Sequence, residues 1–240
     1  MDVNKNGYIF AFSAILVIVV GAALAFTAES LKPMQKENVR LEKMQNILAT
    51  VKIESTPEEA KEKFDKYIVE QKLLNSEGVV TDFPNLTAFD IDAVKEYKTL
   101  DPENRHYPLF VFEDGGEKKY IVPLAGKGLW GPIWGYVAFN GDMNTVYGST
   151  FDHKTETPGL GAEISETWFQ ERFIGKTIFD EGGEFVSVDV VKGGTDVKGE
   201  DHLVDGISGG TITSKGVGEM MERTLNVYVP YFKGNLKAAL

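Results

Sequence analysis

Cysteine is absent from the chain. Disulfides, thiolate-held metals and thiol redox chemistry are thereby excluded, and any oxidation–reduction role requires a borrowed cofactor. The absence does not by itself assign a compartment, since both sides of a bacterial membrane tolerate it. Histidine is scarce. His106, His153 and His202 are the only ones, and none has the spacing of a helix-borne metal pair. They read as surface or loop residues, and no structural metal is expected. Positive charge is also in short supply: 25 Lys and Arg against 36 Asp and Glu give a formal net charge of −11. Nucleic acid and anionic headgroups repel so acidic a chain, so neither is an expected partner of the folded domain. Repeats and low-complexity stretches are missing as well.

The 240 residues suffice for one anchor and one domain of roughly 150–200 residues. No charge occurs between Asn6 and Ala28, and Ile9 to Phe26 is almost wholly apolar. At 1.5 Å per residue this run crosses a hydrocarbon core of roughly 30 Å. Ala23-Leu24-Ala25 resembles a signal-peptide cleavage site, but the leading charge is a single Lys5 offset by Asp2. The run also exceeds the usual signal core, so a retained helix over residues 7–27 is expected. The resulting division is an anchor over residues 1–30, a helical connector over 31–54 and a globular domain over 55–240. Lys32, Lys36, Arg40 and Lys43 follow the anchor, and by the positive-inside rule alone they would hold the domain in the cytoplasm.

Met34, Leu41, Met44, Leu48 and Val51 mark one face of the connector helix. A second helix opens at Thr56-Pro57-Glu58-Glu59, a capping box with Pro at the first position. Its inward face runs through Ala60, Phe64, Tyr67, Ile68 and Leu74. Tyr107–Glu113 and Lys119–Leu124 flank Asp114-Gly115-Gly116 and read as a hairpin. Strands at Ile133–Phe139 and Thr145–Ser149, a short helix at Glu166–Phe173 and a strand at Phe185–Val191 follow. A last helix opens near Ser214 and turns Val217, Met220, Met221, Thr224, Leu225 and Tyr228 inward. The fold class is α+β, with an antiparallel sheet and flanking helices.

Two glycine-rich segments match patterns whose further requirements they do not meet, so a dinucleotide site is rejected and a serine hydrolase needs an unusual chain order. Gly126-Lys127-Gly128-Leu129-Trp130-Gly131 has the dinucleotide spacing, yet Pro132-Ile133-Trp134-Gly135 follows where a helix is needed. Trp130 and Trp134 are then core or cofactor-facing, with core favoured. Gly206-Ile207-Ser208-Gly209-Gly210 has the nucleophile-elbow spacing, but no histidine follows Ser208, as hydrolases of that type require. The same stretch, from Asp205 to Thr213, also reads as a phosphate cradle: small residues lead into a helix N-terminus whose N–H groups favour an anion. On residues alone, a glycine-rich helix entry without ligand and a membrane-tethered module binding a phosphate-bearing ligand stay open.

Asp205-Gly206-Ile207-Ser208-Gly209-Gly210-Thr211 resembles the flavinylation motif of the FMN-binding domain family, with Gly210 where Ala is usual. Glu156-Thr157-Pro158-Gly159-Leu160-Gly161 resembles that family's flavin-facing loop, and Gly128-Leu129-Trp130 a third shared segment. Their order after one N-terminal span is similar to that in flavin subunits of sodium-translocating NADH:quinone oxidoreductase; flavin subunits of Rnf-type electron-transport complexes are the near alternative. The resemblance implies covalent FMN on Thr211 through a phosphoester, with Ser208, Gly209, Gly210 and Thr213 around the phosphate. It implies ring contacts from Thr157, Gly159, Leu160 and Trp130, and recognition by a flavin transferase or loop support from Asp205. It implies electron transfer within a membrane respiratory complex, with the other subunits as partners and no separate catalytic activity. It also places the chain in the bacterial inner membrane with the flavin domain on the periplasmic side, against the charge count.

Overall fold

The computed structural model describes residues 5–238. Helix α1 (Asn6–Thr50) runs unbroken through Pro33, which costs it one backbone bond. Its apolar N-terminal window is long enough to cross a membrane and is covered by none of the other described residues. Residues 1–43 and 44–240 form two compact units, and the last turns of α1 belong to the second, where Met44, Ile47 and Leu48 are buried. The helix stops in a Schellman arrangement. Lys52 takes φ 63°, Ile53 N–H donates to Leu48 O at 3.0 Å and Lys52 N–H to Ala49 O at 2.9 Å, so the last carbonyls are satisfied.

Helix α2 (Pro57–Tyr67) starts as its sequence dictates, with Glu59 reaching back to the Thr56 N–H at 3.3 Å. It ends earlier than its apolar spacing predicts. Ile68 is already extended, and Ile68–Leu74 is strand β1, not a continuation of the helical face. Ile68 and Leu74 are inward, as expected, but as sheet residues. The β-branched Ile68-Val69 pair and the ladder to the next strand override helical periodicity there.

Helix α3 (Ala93–Thr99) is capped by the Asp92 carboxylate, which accepts the Lys95 N–H at 2.9 Å. Strands β2 (Tyr107–Asp114), β3 (Glu117–Lys127), β4 (Pro132–Phe139) and β5 (Val146–His153) follow. With β1 they form a five-stranded antiparallel meander in the order β1-β2-β3-β4-β5. The hairpin over 107–124 is as the turn signal predicts. β5 runs on to His153, past the expected end at Ser149. Both faces of β2 are covered, which makes its burial continuous and not alternating: Leu109 joins the main core, and Phe110 meets Phe64 of α2 edge-on at 6.2 Å.

Helix α4 (Thr167–Gln170) passes into a 3-10 turn over Glu171–Phe173, so the expected short helix is split between two geometries. The expected strand over Phe185–Val191 shrinks to β6 (Asp189–Val191), because Ser187 adopts φ 61° and interrupts it. β6 pairs in parallel with β7 (Leu203–Asp205), a strand that the pattern does not announce. His106 lies in the loop before β2, as expected, and is tethered there: Glu96 accepts its main-chain N–H at 2.8 Å and pairs with its Nδ1 at 2.9 Å.

Parts of both edges of the meander are engaged. Beside β5, Val146 exchanges backbone bonds with Lys176 and Gly175, both at 2.8 Å, and the Gln170 amide donates to Phe151 O at 3.1 Å. Beside β1, Thr81 N–H donates to Leu73 O at 2.9 Å.

Helix α5 (Thr211–Ala238) closes the domain and begins three residues before the expected Ser214. Val217, Met220, Met221, Leu225, Tyr228 and Phe232 bury one face of it in the core with Leu124, Val137 and Phe139. The Tyr228 hydroxyl donates to Pro108 O at 2.7 Å, and burial pushes its phenol well above the ordinary value of 10.0. Tyr228→Phe should cost about 1–3 kcal/mol by orphaning that carbonyl, read as a lowered urea midpoint. In the wild type the unfolded chain binds fewer protons than the folded one above pH 10, so stability should fall as pH rises from there, and the variant should fall less steeply.

Candidate functional site: a helix entry gripped from three sides

β7 ends at Asp205, and the chain turns through Gly206–Gly210 into α5. Asp205 is held on both carboxylate oxygens. Its Oδ1 accepts the N–H groups of Gly194 and Thr195 at 2.7 and 3.1 Å, and its Oδ2 faces Arg172 Nη1 at 3.0 Å. Arg172 Nη1 donates also to the main-chain oxygens of Asp205 and Gly206, at 2.6 and 3.3 Å, while its guanidinium lies over the Trp168 ring at 4.7 Å. Asp205 is thereby built into the scaffold of its own turn.

The turn is then pinned to the helix it feeds. Ser214 Oγ accepts the Ile207 N–H at 3.0 Å and donates to Gly210 O at 2.9 Å. Gly209 sits at φ 81°, where a side chain is strained. Gly210 is needed for space: an added Cβ would stand 2.9 Å from Leu160 O and 3.0 Å from Ile207 Cγ2. The Leu160 backbone therefore rests directly on the glycine.

These restraints aim the first turn of α5 outward. Ser214 N–H bonds Gly210 O, while the N–H groups of Thr211, Ile212 and Thr213 find no acceptor among the described residues. Three free donors at the positive end of a long helix suit a phosphate. Among the hydroxyls, Thr213 and Ser214 are buried and already bonded, Thr213 to Glu156 Oε2 at 2.6 Å. Thr211 is half-buried, and its hydroxyl makes no hydrogen bond among the described residues. Ser208 is exposed.

The loop after β5 is the second wall. Its Thr157-Pro158-Gly159-Leu160 run is exposed yet ordered: Leu160 N–H donates to Thr157 O at 3.1 Å, Gly159 N–H to Glu163 Oε1 at 3.1 Å. Leu160 reaches Gly209, whose added Cβ would meet Leu160 Cδ2 at 2.7 Å. The third wall is the β3–β4 turn, closed by Gly128 N–H donating to Gly131 O at 2.8 Å. No helix follows it, as the rejection of a dinucleotide site requires. Trp130 is not a core residue, however. It is 67% exposed, because the tight turn leaves its ring at the hairpin tip while its N–H donates to Glu156 Oε1 at 2.8 Å.

Sequence reasoning assigns no role to Glu156 or Arg172. Glu156 lies at the head of the Thr157–Leu160 loop, and its burial appears only once Gly128 and Gly161 bring their backbones against it. Arg172 lies 33 residues from Asp205, and no local pattern connects them.

The site and fold define a flavin-binding class: residues 128–226, from the β3–β4 turn into α5, match the FMN-binding domain family. NqrC of the Na(+)-translocating NADH-quinone reductase of Pseudomonas aeruginosa is 32% identical, over 85% of this chain and 84% of that one. The corresponding protein of Vibrio vulnificus is 33% identical, over 88% and 86%. Among solved structures, that of NqrC from Parabacteroides distasonis is 46% identical with a TM-score of 0.75, covering 84% of this chain and 96% of that one. NqrC of Shewanella oneidensis is 29% identical with a TM-score of 0.67, covering 81% and 98%. The chain belongs to the NqrC family, the C subunits of Na(+)-translocating NADH-quinone reductases. The α+β architecture expected from sequence is that of these structures.

Gly210→Ala restores the residue usual in the flavinylation motif but sets a methyl against the Leu160 backbone. A drop of about 1–3 kcal/mol is expected for such overpacking, measurable as a lower thermal midpoint.

Proposed function

We propose that this chain is an electron-transfer subunit of a sodium-translocating NADH:quinone oxidoreductase and carries FMN on Thr211 through a phosphoester. The observation that carries this reading is the division of labour among three neighbouring hydroxyls. Thr213 and Ser214 are buried and bonded, whereas Thr211 stands half-exposed beside free N–H donors at the α5 N-terminus. The residues fit the group. The first turn of α5 offers donors for a phosphate monoanion or dianion, and the glycines at 209 and 210 let that anion approach the backbone closely. Leu160 and Trp130, both exposed apolar groups on adjoining walls, are suited to flank a flat ring, with Thr157 and Gly159 on the same loop.

FMN, when bound, supplies the redox chemistry that a chain without cysteine cannot. The residues do the remainder. Thr211 holds the cofactor permanently and takes no part in turnover, so the redox group stays at high effective concentration beside its partners. Asp205 and Arg172 keep the attachment turn in shape for a flavin transferase. The apolar N-terminal stretch of α1 supports anchoring in the bacterial inner membrane, and membership in the family supports assembly with the other subunits of such a complex, the flavin domain lying on the periplasmic side.

Thr211→Val, produced with the flavin transferase, should fold with unchanged stability yet run as a non-fluorescent band after denaturation, where the wild type fluoresces. Fluorescence retained in the variant and mapped to Thr213 would reassign the attachment. Topology is tested separately: a reporter active only after export, fused after Leu240, should be active in a Gram-negative host, and activity of a cytoplasmic reporter alone would reverse the orientation.

A further inference from the structure

Glu156 is a charged group 5% exposed, with no ion pair among the described residues. A buried carboxylate is costly unless each oxygen finds a donor. Here the two oxygens are shared between different parts of the chain. Oε1 accepts the Trp130 N–H of the β3–β4 turn at 2.8 Å, and Oε2 accepts the Thr213 hydroxyl of α5 at 2.6 Å. The Glu156 N–H in turn donates to His153 Nδ1 at 3.2 Å, which fixes the entry to the Thr157–Leu160 loop. The fit leaves no slack. A Cβ at Gly128 would stand 2.6 Å from Oε1, and one at Gly161 would collide with Oε2 and lie 2.5 Å from Thr213 Oγ1. Two glycines thus make room for one carboxylate.

We infer that Glu156 is the positioning residue of the flavin site, a clamp that sets the Trp130 turn and the Leu160 loop relative to the first turn of α5. The inference rests on the reading of Thr211 as the point of attachment, because that places the three clamped segments around one ring. Charge-assisted bonds from a single short side chain fix three walls against one another more tightly than separate neutral contacts would. The clamp also occupies the Thr213 hydroxyl, two residues from Thr211, and with Ser214 bonded to Gly210 leaves Thr211 as the available hydroxyl of the first turn of α5.

The test compares wild type, Glu156→Ala, Glu156→Gln and Thr213→Val, each as the full chain, made with and without the flavin transferase. Without it, amide hydrogen exchange reads the clamp directly. Glu156→Ala should speed exchange together in residues 128–131, 157–161 and 211–214 and leave the β1–β2 ladder unchanged. Glu156→Gln should fall between wild type and Glu156→Ala, since its amide can accept from Trp130 and meet a rotated Thr213 hydroxyl but loses the charge assistance. Acceleration confined to residues 157–161, or equal effects of Ala and Gln, would overturn the clamp. With the transferase, denatured bands of wild type and Glu156→Ala should fluoresce alike, while the native variant shows a shifted flavin midpoint potential and freer ring motion by fluorescence anisotropy. Coupled exchange with an unshifted potential and anisotropy would show a clamp that does not position the flavin and would overturn the inference. A dark wild-type band would instead sink the attachment reading, with the exchange result standing by itself. Should Glu156→Ala not fold, Thr213→Val decides: it should accelerate exchange in 128–131 as well as 211–214, and no change in 128–131 counts against the clamp.

Discussion

One face of α5 is buried along Val217, Met220, Met221, Leu225, Tyr228 and Phe232, and this burial fixes the helix in rotation and in height against the meander. At about 1.5–3 kcal/mol for each large apolar side chain withdrawn from water, the face outweighs any single polar contact in the domain. Its consequence is felt at the other end of the helix. A helix that cannot turn or slide presents its first N–H groups in a constant direction, so the anion-favouring end of α5 is a fixed feature and not a fluctuating one. The polar restraints at Ser214, Asp205 and Arg172 then shape the incoming turn to that direction. They refine a position that the apolar packing has already set.

Burial also sorts chemically equal groups. Thr211, Thr213 and Ser214 carry the same functional group within one helical turn, yet the 3.6-residue period sends them to different surroundings. Thr213 meets the Glu156 carboxylate and Ser214 the carbonyl of Gly210, while the half-buried Thr211 hydroxyl bonds none of the described residues. A hydroxyl already engaged in a buried bond must lose that bond before it can react, and this cost separates the three more strongly than their intrinsic nucleophilicity does.

Much of this is legible in the residues. The capping box at Thr56–Glu59, the turn at Asp114-Gly115-Gly116 and the period-3.6 face of α5 each act through local chemistry, and each forms where it is written. The ordered segments at 128–130, 156–161 and 205–211 point to the flavin family because they are spelled in short contiguous runs. The misreadings share a different cause. Ile68–Leu74 keeps apolar spacing compatible with a helix, and only its partner β2 makes it a strand. β7 is three residues long, too short for alternation to show, and exists because β6 lies beside it. Trp130 reads as core by composition, but a tight turn outranks hydrophobicity at its tip. Glu156 and Arg172 take their meaning from contacts made across 26 and 33 residues, distances over which a sequence pattern carries no geometry.

The engaged stretches at the edges of the meander have a bearing on how this domain can meet another protein. Backbone groups of β5 are engaged by Gly175, Lys176 and the Gln170 amide, and those at the end of β1 by Thr81. The engaged stretches offer no free row of donors and acceptors onto which a foreign strand could zip. Recognition there falls to side chains, whose shape and charge differ from place to place, and not to the main chain, which looks much the same in every protein. A neighbour that meets those stretches must match particular residues and can be refused by changing them, a more selective form of contact than an open strand edge offers.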